Sequence, residues 1–218
     1  MNRPFVSIAL ADGEVVAVPR GPYRQLSAEE RAASLAVARA SGPPDDAVWV
    51  FGYASLMWRP CFQPTERREA LLEGYARRCC IWTSLARGTP ERPGLALGLE
   101  AADESCRGLA FRLDPAQLDD ALEALWEREM VTGIYDPHWL PVMTAEGAVT
   151  ALAFVVNPAH RQYAGSLPRG VAASIIAGAN GKFGSCRDYL ESTVVALQES
   201  GHPDPDLEAL LEQVRALP

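Results

Sequence analysis

Apolar runs of strand length dominate residues 48–156, whereas helical patterns fill the chain from residue 169 to its end. The runs that predict strands cover 48–53, 71–84, 94–100, 106–113, 139–143 and 149–156. One helical segment, 115–130, divides them, and further helices are predicted at 169–178, 186–199 and 204–216. Because the strands come mostly first and the helices last, the order favours an α+β fold over a doubly wound sheet.

Residues 1–46 are organised differently from the rest. Two β-branched runs within 5–18 flank Asp12-Gly13, which indicates a hairpin. Ser27 and Glu30 have the spacing of a capping box, so a helix of about three to four turns is predicted to follow Ser27. The segment SGPPDDA, 41–47, has the composition of a linker. We therefore expect an N-terminal extension, 1–46, ahead of a main domain, 47–218.

The composition narrows the classes of partner. The net charge of −8 disfavours a nucleic-acid binder, which would normally carry a basic surface, but it leaves room for a small acidic ligand. No apolar stretch is long enough to span a bilayer, and no apolar run follows a basic start, so we expect a cytoplasmic protein without a membrane partner. The five scattered cysteines predict reduced, mostly buried thiols, with a catalytic cysteine as the alternative. We expect no metal and no cofactor.

The helix predicted at 115–130 carries a carboxylate in an unexpected place. Leu118, Leu122 and Leu125 form the stripe that must be buried. Glu129 lies eleven residues after Leu118, about 20° past three full turns, so it projects from this stripe, whereas Glu127 faces water. Two explanations remain open. Either the helix frays there or an arginine such as Arg128 pairs with Glu129, or Glu129 is a general acid or base whose pKa is raised by burial.

Other catalytic patterns are weaker. Ser55 lacks the glycines of a nucleophile elbow, and neither a P-loop nor a dinucleotide fingerprint is present in the sequence. The segment VWVFGYASLMWRP, 48–60, is more informative, because it reads as a buried strand that is interrupted by small residues and hydroxyls. Such a break indicates either a turn to the next element or a backbone that a ligand must approach closely.

This segment resembles the N-terminal signature of the ChaC-type gamma-glutamylcyclotransferases, which act on glutathione. Four later blocks fit the family in the same order: GYARRCCIWTSLARGTPERPGLALGL (74–99), CRGLAFRL (106–113), REMVTGIY (128–135) and GKFGSCRDYLESTVVALQESGHPDPDLEALLEQV (181–214). Together they cover roughly 48–215, and residues 1–46 lie outside the resemblance.

The resemblance implies a compact mixed β-barrel with helices around it and a helical C-terminal part. It implies that Glu129 is the catalytic acid and base, and that the turn at 53–56 holds the γ-glutamyl group of a small-molecule substrate. The substrate contacts that it implies are Tyr53, Ala54, Ser55, Leu56, Tyr135 and Tyr163. The family has glycine where this chain has Ala54, which would strain the turn if that position needs a positive φ.

Two alternatives to a glutathione-directed enzyme stay open at this point. The first is a cyclotransferase for another γ-glutamyl amine or dipeptide on the same scaffold. The second is a non-catalytic regulatory protein linked to cation transport, although such a protein would not need an unpaired carboxylate in the buried stripe. No pattern in the chain indicates an oligomeric state.

Overall fold

The computed structural model describes residues 5–10 and 13–218. The described residues cluster into two compact units. The helical unit comprises residues up to 23, 78–98 and 158–218, and the barrel unit comprises 24–77 and 99–157. The predicted hairpin turn at Asp12 lies outside the described residues. The division into an extension, 1–46, and a main domain, 47–218, stays a prediction.

The chain folds into nine strands and six α-helices over the described ranges. The strands are β1 (Phe5–Ala9), β2 (Val15–Pro19), β3 (Trp49–Gly52), β4 (Pro64–Thr83), β5 (Gly94–Leu113), β6 (Tyr135–Thr144), β7 (Gly147–Val156), β8 (Asn180–Gly181) and β9 (Gly184–Ser185). The helices are α1 (Ala28–Ala40), α2 (Ser55–Trp58), α3 (Leu118–Glu129), α4 (Arg169–Gly178), α5 (Cys186–Glu199) and α6 (Pro205–Ala216). Short 3-10 turns cover Asp45–Ala47 and Pro115–Gln117.

Five strands close into a barrel in the order β3-β5-β4-β6-β7, with an additional pairing between β5 and β7. Strand β3 pairs antiparallel with β5 and parallel with β7, and β6 pairs antiparallel with β7 along its whole length. The mixture of parallel and antiparallel pairs confirms the predicted α+β class with a mixed barrel.

Two strand predictions need correction. The runs at 94–100 and 106–113 belong to one strand, β5, of 20 residues. Strand β4 begins at Pro64, seven residues before the predicted start at 71. In both cases most of the added residues are exposed or half-buried and several are charged, so they do not continue the apolar run. Hydrophobic runs therefore show only part of each strand.

Helix α3 packs on the barrel through the predicted apolar stripe. Leu118, Leu122 and Leu125 are all buried, which stabilises the fold by about 1.5–3 kcal/mol for each side chain. The indole of Trp126 lies edge-on against the ring of Phe154 on β7, with centroids 5.5 Å apart. The helix begins at Leu118 rather than 115, because Asp114 caps the preceding 3-10 turn through the N–H of Ala116, at 2.9 Å.

Helix α1 of the barrel unit has the predicted capping box. The Ser27 hydroxyl accepts from the N–H of Glu30, and the Glu30 carboxylate accepts from the N–H of Ser27 at 2.8 Å. Along the same helix, Arg39 forms an ion pair with Asp119 of α3. These contacts attach α1 to the barrel unit.

The helical unit holds the predicted C-terminal helices. Helices α4 and α5 have the predicted bounds, and α6 begins one residue later, at Pro205, after the Asp204 cap. Strands β1 and β2 form a two-stranded antiparallel sheet in this unit. Among the described residues, no helix combines the length and the apolar character that a bilayer crossing requires.

Candidate active site

Strand β3 ends at Gly52, and the turn at 53–56 leads directly into the short helix α2. Ala54 precedes this helix with φ at −143°, and its side chain is buried. Because this φ is negative, alanine in place of the family's glycine carries no left-handed strain. The carbonyl of Ala54 accepts a hydrogen bond from the N–H of Met57 at 2.8 Å. The N–H groups of Ser55 and Leu56 lie in the first turn of α2, where a helix offers no internal acceptor.

The small residues at the end of β3 are required by the close approach of β5. A Cβ atom at Gly108 would lie 2.4 Å from the carbonyl oxygen of Gly52, and one at Gly52 would lie 2.9 Å from the ring of Phe111. Side chains at these two positions would therefore force the strands apart. Packing thus accounts for the two glycines, and the residues of the 53–56 turn that follow Gly52 are buried except for the half-buried Ser55.

Tyr53 is anchored on two sides. Its hydroxyl donates to the carbonyl oxygen of Phe154 at 3.1 Å, and the whole residue is buried. The guanidinium of Arg77, itself only 8% exposed, donates to the carbonyl oxygens of Tyr53 and Arg107. The Tyr53 side chain is thus used to hold the turn. Sequence reasoning missed Arg77, because an arginine in a strand normally indicates a solvated face.

Glu129 is the last residue of α3, and only 14% of its side chain is exposed. Burial raises the pKa of the Glu129 carboxyl above its ordinary value, while the neighbouring Arg128 guanidinium acts in the opposite direction. Glu127, two residues earlier, is exposed. The helical periodicity therefore separated these two carboxylates correctly. Glu129 is thus both desolvated and paired with an arginine, and its part as a general acid or base stays a prediction.

Arg128 connects Glu129 with the turn. Its Nε lies 3.1 Å from Glu129 Oε1, and its Nη2 donates to Ser55 Oγ at 2.8 Å. Its Nη1 donates to the carbonyl oxygen of Arg59, directly after α2. The structure thus brings Glu129 and Ser55 to the same guanidinium. The Ser55 hydroxyl accepts from a cation here, an arrangement that does not activate it as a nucleophile.

The two predicted tyrosines fall in different units. Tyr135 begins β6 in the barrel unit, and its ring lies edge-on to Phe154 with centroids 6.3 Å apart. Phe154 therefore contacts both Tyr135 and Tyr53. Tyr163 belongs to the helical unit, where it forms an isolated β-bridge with Ile81. Its part in substrate binding stays a prediction.

One thiol lies in the same region. Burial raises the pKa of the Cys61 thiol, and both Arg128 and Glu129 act on it electrostatically. Burial also raises the pKa of Cys186, to about 12, and the pKa of Cys79. A nucleophilic cysteine needs a lowered pKa, so these environments oppose thiolate formation. Among the described residues, no three side chains of metal-binding type come together.

Comparisons with known proteins identify the family to which this chain belongs. The model of the ChaC-like protein family matches residues 48–217. The chain is 39% identical over 192 residues to the glutathione-specific gamma-glutamylcyclotransferase of Escherichia coli K12, covering 88% of this chain and 83% of that protein. It is 34% identical to glutathione-specific gamma-glutamylcyclotransferase 1 of Rattus norvegicus, covering 78% of this chain and 80% of that protein. The chain therefore belongs to the ChaC-like family.

A solved structure supports the fold. The crystal structure of a gamma-glutamyl cyclotransferase specific to glutathione from yeast superposes with a TM-score of 0.71 at 22% identity. The superposition covers 78% of this chain and 96% of the yeast chain. At this identity the likeness is one of fold, and it agrees with the mixed barrel described above.

Proposed function

We propose that this protein is a gamma-glutamylcyclotransferase that cleaves glutathione to 5-oxoproline and Cys-Gly, with Glu129 as its acid and base. Membership of the ChaC-like family, with two relatives named as glutathione-specific enzymes, supports the reaction. The observation that carries the mechanism is the desolvated Glu129 carboxylate, joined to the 53–56 turn through Arg128. The net charge of −8 supports a small-molecule substrate rather than a nucleic acid, and we propose a cytoplasmic location for the enzyme.

The chemistry needs no water and no covalent enzyme intermediate. The α-amine of the γ-glutamyl group attacks its own γ-carbonyl carbon, so a new C–N bond closes a five-membered lactam. The amide C–N bond to the cysteine then breaks. Because the nucleophile is part of the substrate, holding the substrate in a folded conformer supplies the proximity advantage, which reaches an effective molarity on the order of 10⁵ M.

One carboxylate can manage both proton transfers. Glu129 accepts the proton that the α-ammonium must lose, and it later gives that proton to the departing cysteine nitrogen. A carboxyl group with a raised pKa suits both steps, because it binds the proton firmly enough to remove it and weakly enough to return it. Such acid–base catalysis contributes about 10²–10⁴-fold to the rate.

The 53–56 turn supplies the binding groups in this proposal. Its first-turn N–H groups, at Ser55 and Leu56, can donate to the substrate carboxylate or to the oxyanion that forms on the γ-carbonyl. Tyr53 and Tyr135 both contact Phe154, Tyr53 through its hydroxyl and Tyr135 through its ring. The backbone of the turn, rather than the Ser55 hydroxyl, therefore does most of the binding.

The test compares Glu129→Gln with Glu127→Gln. We expect the Glu129 variant to lose at least ~10²-fold in kcat, because glutamine keeps the shape but cannot accept a proton. Glu127 is exposed on the same helix, so its variant should behave like the wild type and serves as the matched control. Release of 5-oxoproline from glutathione measures activity, and a glutathione-induced thermal shift measures binding. Equal activity in both variants would exclude Glu129 as the acid and base.

The same pair tests the electrostatic environment. Burial raises the pKa of Glu129 in the folded state above the ordinary 4.5, so the folded protein holds this proton more tightly than the unfolded chain. The wild type should therefore lose stability relative to Glu129→Gln as the pH rises from about 4.5, and the two should converge below it. Denaturant unfolding across this range measures the difference.

A substrate panel distinguishes the alternative of another γ-glutamyl compound. Glutathione and γ-glutamyl dipeptides share the reacting group and differ in what leaves, so the rates of 5-oxoproline release rank the recognition of the leaving group. We expect the highest kcat/KM for glutathione. If a γ-glutamyl dipeptide gave a higher kcat/KM than glutathione, the proposed reaction would stand, but its preferred substrate would be that dipeptide.

A further inference from the structure

We infer that Arg128 is a positioning residue that fixes the Glu129 carboxylate and the turn around α2 in one geometry. The inference rests on the function proposed above and concerns a residue outside the proposed substrate contacts. Arg128 and Glu129 are neighbours at the end of α3, whereas Ser55 and Arg59 lie at the two ends of α2. A single side chain thus spans the two elements that carry the proposed acid–base and the proposed binding groups.

Each nitrogen of the guanidinium has its own protein partner. Nε faces Glu129 Oε1 at 3.1 Å, Nη2 donates to Ser55 Oγ at 2.8 Å, and Nη1 donates to the carbonyl oxygen of Arg59. Because a guanidinium is rigid and planar, these three contacts fix the relative positions of the three acceptors. The arrangement makes Arg128 a fixed part of the site rather than a group waiting for a substrate carboxylate.

The charge of Arg128 also acts on the protonation of Glu129. Desolvation favours the neutral carboxyl and raises its pKa, whereas the adjacent guanidinium favours the carboxylate. The Cys61 thiol, just after α2, also interacts electrostatically with Arg128 and Glu129, and burial raises its pKa. Arg128 therefore opposes the effect of burial and favours the ionised form of Glu129, which is the form that can accept the proton of the substrate amine.

The consequence is a specific effect on pH dependence. Without the guanidinium, burial acts on Glu129 unopposed, and the carboxyl stays protonated to higher pH. A protonated Glu129 cannot accept the proton of the α-ammonium, so activity should be lost first at low pH. A role of Arg128 in packing alone would instead lower the rate by the same factor at every pH.

The experiment measures pH–rate profiles of glutathione cleavage, from about pH 5.5 to about pH 9, for the wild type, Arg128→Met and Arg128→Lys. We expect the acidic limb of kcat/KM in Arg128→Met to move up by about one pH unit or more, a fall of ~10-fold or more on that limb. Most of this loss should be regained at the alkaline end. Arg128→Lys keeps the positive charge but loses the planar guanidinium, so the acidic limb of its profile should lie between those of the wild type and Arg128→Met.

Arg39→Met is the matched control, because Arg39 forms an ion pair with Asp119 on the exposed side of α3. Its profile should equal that of the wild type. Circular dichroism and thermal unfolding of each variant establish that the compared proteins are folded, and rates are taken per folded molecule.

Two results would overturn the inference. One is an Arg128→Met profile whose acidic limb lies at the same pH as that of the wild type, whether the rate is unchanged or is lowered by the same factor at every pH. The other is an Arg128→Lys profile that matches Arg128→Met, since the retained charge would then have no effect. A wild-type protein that releases no 5-oxoproline would instead contradict the proposed function, so the two failures are distinguishable.

Discussion

Replacing Tyr53 with phenylalanine tests whether its phenol serves the fold or the chemistry. The Tyr53 hydroxyl donates to the Phe154 carbonyl oxygen at 3.1 Å in a buried position. In the β6–β7 ladder the N–H of Asn157 bonds to the carbonyl of Ile134, so the carbonyl of Phe154 points away from β6. The Tyr53 hydroxyl is a donor to this carbonyl, and Tyr53→Phe removes that donor.

The magnitude follows from this geometry. Leaving a buried acceptor without its donor lowers the free energy of unfolding by about 1–3 kcal/mol. For a chain of this size each kcal/mol shifts Tm by about 2–4 °C, so the expected fall is on the order of 2–12 °C. The phenol donates to the backbone of the barrel, so we expect it to serve the fold. At 25 °C, where the variant stays folded, 5-oxoproline release should therefore remain within about threefold of the wild-type rate.

The assay combines thermal unfolding with steady-state kinetics on the same preparation. Tyr75→Phe on β4 is the control, because it deletes a hydroxyl from a half-buried tyrosine outside the turn. Its Tm should stay near the wild-type value. An unchanged Tm for Tyr53→Phe, together with a kcat loss of ~10²-fold, would refute the structural role and make the phenol a participant in the reaction.

Two further substitutions address the turn and the nearby thiol. Ala54→Gly should keep kcat within about threefold and lower the free energy of unfolding by about 1 kcal/mol or less. The reason is that φ at −143° suits both residues, so glycine adds only backbone entropy to the unfolded chain. A rate gain of ~10-fold or more in the 5-oxoproline assay would mean that the Ala54 methyl narrows the site. Cys61→Ser should retain wild-type activity, because burial opposes its thiolate; loss of 5-oxoproline release from a folded Cys61→Ser variant would argue for thiol chemistry.

Helices α3 to α6 were predicted well, because each buries apolar residues whose spacing is visible in the sequence. Helices α4 and α5 have the predicted bounds, and the separation of Glu129 from Glu127 follows from the same geometry. Strand lengths were less predictable. In β4 and β5 the polar residues continue the strand without any hydrophobic signal, so the ladder of backbone hydrogen bonds extends beyond the apolar run.

The two arginines of the site could be predicted only in part. Arg128 was one of the expected partners of Glu129, but its contact with Ser55 joins residues that are 73 positions apart. Arg77 is buried because it donates to two carbonyl oxygens, one of them 30 positions away. Such contacts depend on how the strands close into a barrel, and the pattern of one segment carries no information about that closure.

The double anchoring of residue 53 has a consequence for ligand recognition. The Tyr53 hydroxyl and the Arg77 guanidinium both restrain the same stretch of backbone, one through β7 and the other through β4. A turn restrained in this way has little conformational entropy left to lose when a ligand binds, whereas ordering a free loop costs about 1–2 kcal/mol per residue. In the proposed binding mode, few donors are then enough to hold the γ-glutamyl group, because little of their interaction energy is needed to order the turn.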